Sequence, residues 1–139
     1  MKLVNLSKEH EITELVNNCL NQNTAKLKII LNDNIISHED CIIIIRTFIS
    51  KIKRLIKLIE NYNEKGNLEE SINTFKPSIF WKEKGTVKKQ ILTWPKKQIK
   101  KMLYEINILE LIVKKENNIS SYLLANFILE KSFIRTNNI

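Results

Sequence analysis

One stretch of the chain, residues 76–103 (the basic segment), carries residue types that bind nucleic acids. It holds nine lysines and a single acid, Glu83, so its charge of +8 equals the net charge of the whole chain. The rest of the sequence is electrically balanced. Lysines attract phosphate groups, and an aromatic ring in the same segment can stack on an unpaired base. Phe80 and Trp81 supply such rings, and the chemistry indicated here is binding rather than catalysis.

Two interpretations of the basic segment are open. In the first, the lysines form a solvated helix face that adds solubility, and Phe80 and Trp81 anchor a loop in the core. In the second, the segment is a weak, sequence-independent DNA site in which Trp81 stacks on a base. Lysine favours attraction to the phosphate backbone over the reading of bases, which suits such a site. The residues predicted for it are Trp81, Lys82, Lys84, Lys88 and Lys89.

Other residues with chemical potential stand in positions that favour structural roles. His10 and His38 have no Cys or acid partners at the spacing of a metal site. Cys19 and Cys41 lie among apolar residues without paired spacing, which predicts buried, reduced thiols in a cytoplasmic protein. With two glycines in the chain, no glycine-rich phosphate loop is possible. We therefore predict no catalytic residue, metal site or cofactor, and not an enzyme.

Targeting signals are missing from the sequence. The start lacks the apolar region of a signal peptide, and no apolar run approaches the roughly 20 residues of a membrane helix. We expect a protein that does not enter the membrane.

Hydrophobic periodicity predicts an all-α fold, a compact helical bundle of six to seven helices that forms a single domain over residues 1–139. Ser37, Asn67 and Thr93 are predicted N-caps, and Gly66 is a predicted C-terminal stop. Mid-stripe positions predict that Ile52, Leu103, Ile106 and Leu109 are buried between the two longest helices. The predicted helices cover about 9–21, 24–32, 38–62, 67–75, 86–92, 95–116 and 120–134.

Five stretches follow one another in a recognisable order. They are LVNLSKEHEITELVNNCLNQNTAKLKIIL, the long helix IIIIRTFISKIKRLIKLI, the loop KPSIFWKEK, the stretch QILTW, and the helix KQIKKMLYEINILELIVKKEN. Together they span nearly all of the chain. This ordered set resembles the C-terminal domain of the delta subunit of the bacterial DNA polymerase III clamp loader, although no single stretch is highly specific.

The resemblance implies a collar domain, which joins its counterparts in the gamma/tau and delta-prime subunits as a ring and supports sliding-clamp loading in DNA replication. It also implies that Trp81 lies near the primer–template junction and contacts DNA weakly. A tyrosine of some relatives is replaced here by Asn117 or Asn118. The AAA+-like modules of the family lie upstream of this domain, so we expect either part of a longer subunit or a stand-alone relative.

A collar domain must expose an apolar surface for its neighbours. The run of four isoleucines at residues 42–45 (the isoleucine run) offers more apolar side chains than one helix face needs. The predicted helix over 120–134 is the second candidate for this surface. The predicted partner interface consists of Ile42, Ile43, Ile44 and Ile45. The alternative function is a small free-standing helical protein that binds nucleic acids and shares only the shape of a collar domain.

Overall fold

Helices make up most of the chain. The computed structural model describes residues 2–33 and 35–133, with side chains from residue 8 to residue 32 and from residue 35 onward. These residues contain no β-strand, so the predicted all-α bundle is confirmed. The predicted last residue of the final helix, 134, lies outside them. The helices are α1 Lys2–Leu20, α2 Thr24–Asp33, α3 His38–Lys65, α4 Leu68–Asn73, α5 Lys84–Thr93, α6 Lys96–Lys115 and α7 Ser120–Ser132, with short 3₁₀ turns at Trp81–Glu83 and Asn117–Ile119.

Local side-chain chemistry sets the ends of α3 and α4. The Ser37 hydroxyl accepts a hydrogen bond from the backbone N–H of Asp40 at 3.1 Å, which satisfies a donor at the start of α3. Gly66 ends α3 with φ of 72°, a left-handed conformation in which a Cβ would be strained. The Asn67 side chain then accepts from the N–H of Glu70 at 3.0 Å and starts α4. These three predicted helix ends are confirmed.

The predicted N-cap at Thr93 is wrong. Helix α5 continues through Thr93, whose hydroxyl donates to the Lys89 carbonyl at 2.8 Å, and Pro95 takes the N-cap position of α6. The break falls between them because Pro95 disfavours a helical backbone at the preceding residue, and Trp94 is extended with ψ of 119°. The Trp94 ring is buried, and its indole N–H donates to the Leu20 carbonyl at 2.8 Å.

The two longest helices, α3 and α6, pack along each other and carry the centre of the core. Ile52 and Ile106 are fully buried and Leu109 is buried, as predicted. Leu103 is only half-buried, so the prediction is wrong for that residue. It lies beside a groove between the two helices, at the edge of the apolar stripe rather than at its centre.

Both cysteines are buried and free, as the pattern predicted. Burial raises the pKa of the Cys41 thiol to about 11, and the neighbouring Asp40 carboxylate adds to the rise. Burial also raises the pKa of the Cys19 thiol, against the smaller opposing effect of the Lys131 charge. Both groups are therefore protonated at neutral pH and poor nucleophiles.

The isoleucine run near the start of α3 is not an exposed surface of four residues. Ile44 and Ile45 lie in the core, Ile42 is half-buried, and only Ile43 is largely exposed. Helical spacing places Ile44 and Ile45 on the core-facing side of α3 and turns Ile43 outward. The predicted interface is corrected accordingly, because two of its four residues are already covered by this chain's own helices.

Candidate nucleic-acid interface

Trp81 projects from the surface. It begins the 3₁₀ turn between α4 and α5 and is 70% exposed, and the adjacent Phe80 is also exposed. The two rings lie with centroids 6.0 Å apart, and the Lys82 ammonium lies 5.4 Å from the centre of the indole. The interpretation in which Trp81 anchors the core is therefore wrong, since Trp94 fills that role. An exposed indole beside a lysine is an arrangement that can stack on a base.

The single acid of the basic segment ties this turn to α3. Glu83 accepts hydrogen bonds from the Lys51 ammonium at 2.9 Å and from the Arg54 guanidinium at 3.4 Å. Partial burial raises the pKa of the Glu83 carboxyl, but its bonds to these two cations outweigh that effect and lower the pKa overall. The carboxylate is thus ionised at neutral pH. The 3₁₀ turn that begins at Trp81 is therefore anchored on α3 at its other end.

Two of the four lysines predicted for DNA binding already have partners. The Lys84 ammonium donates to the Asn73 side chain at 2.9 Å, and that of Lys88 lies 2.6 Å from the Glu69 carboxylate. The hydrogen bond from Lys88 lowers the pKa of Glu69. Lys89, by contrast, is exposed and forms no ion pair with the side chains that the structure describes. Together with Lys82 it is the better placed of the predicted set to meet a phosphate.

An acidic residue outside the basic segment also neutralises part of the positive charge that lysines of this segment carry on α6. Lys96 and Lys100 share the Glu60 carboxylate of α3 at 3.1 Å and 3.8 Å. The hydrogen bond from Lys96 is the main reason why the pKa of Glu60 is lowered. Lys97 and Lys101 are exposed without such a partner in the described part of the chain. The first interpretation, a solvated lysine face, therefore describes only part of this helix.

Helix α6 also carries apolar side chains on the face opposite the core. Tyr104 and Leu111 are 69% and 63% exposed, and Ile108 and Ile112 are 39% and 42% exposed. Their spacing of three, four and eight residues places them along one line of the helix. We call this set, Tyr104, Ile108, Leu111 and Ile112, the outer stripe of α6. This stripe was not predicted from the sequence, although apolar residues fall on both faces of the helical stretch YEINILELIV.

The histidines have ordinary surroundings. His38 lies with its Nδ1 atom 2.7 Å from the Ser120 hydroxyl, and His10 is exposed. Among the side chains that the structure describes, no three His, Cys, Asp or Glu residues are grouped as a metal site requires. Within the same part of the chain, no helix combines the length and apolar character needed to cross a bilayer.

Comparisons of the chain with protein-family models, with curated proteins and with solved structures find no match. The functional assignment therefore relies on the residue pattern, on the exposed Trp81 and on the outer stripe of α6.

Proposed function

We propose that this chain is the collar domain of a DNA polymerase III clamp-loader delta subunit. In this role it assembles in the cytoplasm with the gamma/tau and delta-prime subunits, supports sliding-clamp loading during DNA replication, and makes an auxiliary contact with template DNA. The proposal is supported by the resemblance of the five ordered stretches to that domain, and the all-α bundle is compatible with it.

The observation that carries the proposal is the outer stripe of α6. A surface helix normally presents polar residues to solvent and apolar residues to one side only. Helix α6 is apolar on two opposite faces, with Ile106 fully buried on one and Leu111 largely exposed on the other. Contiguous exposed apolar side chains mark surfaces that other proteins cover. A domain enclosed by neighbours in a ring needs such a second face.

Assembly is the direct test of this function. The full chain, mixed at micromolar concentration with the collar domains of the gamma and delta-prime subunits from the same organism, should elute from size-exclusion chromatography as one larger species. Each protein run alone at the same concentration provides the reference volume. Separate elution of the three proteins would contradict the proposal.

The auxiliary DNA contact makes a second prediction. Trp81→Ala should weaken binding of a labelled oligo-dT by about 1–3 kcal/mol, the contribution of one stacked base. Duplex binding should change less because paired bases are not available for stacking. The thermal stability of the protein should be unchanged, since Trp81 is exposed. Fluorescence anisotropy at low salt measures both affinities.

Tyr122→Ala is the matched control for this measurement. Tyr122 on α7 is 68% exposed, almost as much as Trp81, and lies outside the basic segment. Anisotropy is preferable to tryptophan quenching in a Trp94→Phe background, because that substitution would leave the buried Leu20 carbonyl without its donor. Equal affinities of the Trp81→Ala and Tyr122→Ala proteins would count against base stacking.

A free-standing helical nucleic-acid-binding protein is the second candidate function. The exposed pair of Trp81 and Lys82 favours it, because that surface needs no other subunit to bind a strand. The two candidates differ in the assembly experiment. Binding of oligo-dT without co-elution with the gamma and delta-prime domains would support the second one.

A further inference from the structure

A groove lined by cations and hydroxyl groups runs between the outer face of α3 and α1. Its volume is about 460 Å³, and none of its lining residues is acidic. One isoleucine, Ile43, is the sole apolar member among the seven side chains that line it. We call it the α3 groove, and its residues are Thr13, Ile43, Arg46, Thr47, Ser50, Lys51 and Arg54.

Arginine is concentrated in this groove. The chain contains three arginines against 20 lysines, and two of the three, Arg46 and Arg54, lie here. The third, Arg135, is outside the described residues. Arg46, Ser50 and Arg54 are spaced four residues apart and form one ridge that is about 12 Å long. The planar fork of arginine suits phosphate oxygens better than the single ammonium of lysine does.

Several donors in the groove are accessible to a ligand. Arg46 is 65% exposed, and its recorded ion pair joins only Nε to the Glu110 carboxylate at 3.6 Å. The Glu110 carboxylate also lies 3.4 Å from the Lys114 ammonium, which weakens its attraction for Arg46 further. Ser50 is exposed, and its hydroxyl forms no hydrogen bond within the part of the chain that the structure describes. Two turns of α3 thus offer a guanidinium and a hydroxyl to an incoming anion.

The groove is continuous with the turn that presents Trp81. Lys51 and Arg54 line the groove and also bind Glu83, two residues after Trp81. A strand whose base stacks on Trp81 would pass Lys82, which lies 5.4 Å from the indole, and would reach the groove along Lys51 and Arg54. Glu83 and Glu110 flank the path, and each is paired with basic side chains rather than free.

We propose that the α3 groove binds the sugar–phosphate backbone of the single strand whose base stacks on Trp81. The Arg46 guanidinium and the Ser50 hydroxyl donate hydrogen bonds to phosphate oxygens. Lys51 and Arg54 share the Glu83 carboxylate, so two positive charges against one negative leave +1 where the groove meets the Trp81 turn. This assignment rests on the DNA contact in the proposed function. An acidic segment of a partner protein is the competing occupant, and the test separates the two.

Arg46→Gln is the informative variant because Arg46 is exposed and does not hold the Trp81 turn. In the full chain it should weaken oligo-dT binding about fivefold, as loss of one exposed pair of opposite charges can do. It should also reduce the slope of log affinity against log salt by about 0.7, the value for one single-strand phosphate contact. Arg46→Lys should keep the slope but still bind more weakly, because it loses the fork.

Lys28→Gln is the control, since it removes one exposed charge from α2, a helix that contributes no residue to the lining of the groove. Ser50→Asp is a second variant at an exposed site and should weaken binding more than Arg46→Gln does.

The outcomes separate the two possible occupants. If the Arg46→Gln and Lys28→Gln proteins bind oligo-dT equally, the groove assignment is overturned; weaker binding by the Trp81→Ala protein would still support the DNA contact at Trp81. If Arg46→Gln instead abolishes co-elution with the gamma and delta-prime domains and leaves oligo-dT binding unchanged, the occupant is a protein. Absence of any oligo-dT binding would overturn the groove and the auxiliary contact, and co-elution would then still test the collar function separately.

Discussion

Replacing Ile106 by alanine is expected to lower the free energy of unfolding by about 2–5 kcal/mol, through lost transfer energy and the cavity that remains. Ile106 is fully buried in α6, and Ile52, also fully buried, lies on the facing helix α3. These two helices form the most extensive helix pair in the described residues. Neither helix can shift to fill the gap without disturbing the rest of that contact. Chemical denaturation followed by circular dichroism measures the loss.

Two variants of the same helix calibrate this measurement. Leu103→Ala removes a half-buried side chain at a groove, so it should cost less than Ile106→Ala. Ile108→Ala removes a side chain that is 39% exposed on the opposite face and should cost least. If Ile106→Ala were no more destabilising than Ile108→Ala, the assignment of the inner face of α6 would be wrong.

Helix content and the inner faces could be predicted because both depend on local pattern. The spacing of Ile52 and Ile106 within their helices identifies a buried stripe without knowledge of the partner helix. The ends at Ser37 and Gly66 follow from chemistry within a few residues, namely a side-chain acceptor and tolerance of a left-handed backbone. Leu103 was wrongly predicted to be fully buried because helical periodicity gives the direction of the apolar face but not how far the neighbouring helix covers it.

The candidate site could be predicted only in part, because its geometry depends on distant residues. The basic segment contains two tryptophans, and nothing local distinguishes them. Trp94 packs in the core, where its N–H donates to the Leu20 carbonyl, 74 residues away, whereas Trp81 is exposed at the start of a turn that Glu83 anchors on α3. Likewise, the acids that neutralise Lys88 and Lys96 lie on other helices. A count of charged residues along the sequence does not show which lysines form these ion pairs.

The exposure expected for the isoleucine run was wrong at Ile44 and Ile45 for a related reason. The isoleucine run was chosen for its excess of apolar residues, but α1 and α7 also contact α3, and Ile44 and Ile45 are buried. On α6 the apolar residues are interrupted by Glu105 and Glu110, which made the excess less visible in the sequence. Only the packing shows that α6 buries one face and leaves Leu111 on the other in contact with solvent.

Under the proposed collar function, Leu111→Glu combined with Ile108→Glu should prevent assembly with the gamma and delta-prime collar domains. Both residues belong to the outer stripe of α6 and are 63% and 39% exposed in the free domain. Burial of one leucine side chain contributes about 1.5–3 kcal/mol, and each 1.4 kcal/mol is about tenfold in affinity. A carboxylate forced into an apolar contact without a partner adds a further penalty. Size-exclusion chromatography at micromolar concentration should therefore show separate elution.

Ile29→Glu is the matched control for this loss of assembly. Ile29 is 65% exposed on α2, close to the 63% of Leu111, so the substitution places one carboxylate, against two in the α6 variant, on a helix surface of similar exposure. Neither protein should lose thermal stability, because none of the three side chains belongs to the buried core. If the α6 double variant still co-elutes while Ile29→Glu does not, the interface lies on α2 and the role of the outer stripe is refuted. If both variants co-elute like the unmodified chain, another surface holds the ring together, because charged groups at the centre of an assembled interface would not be tolerated.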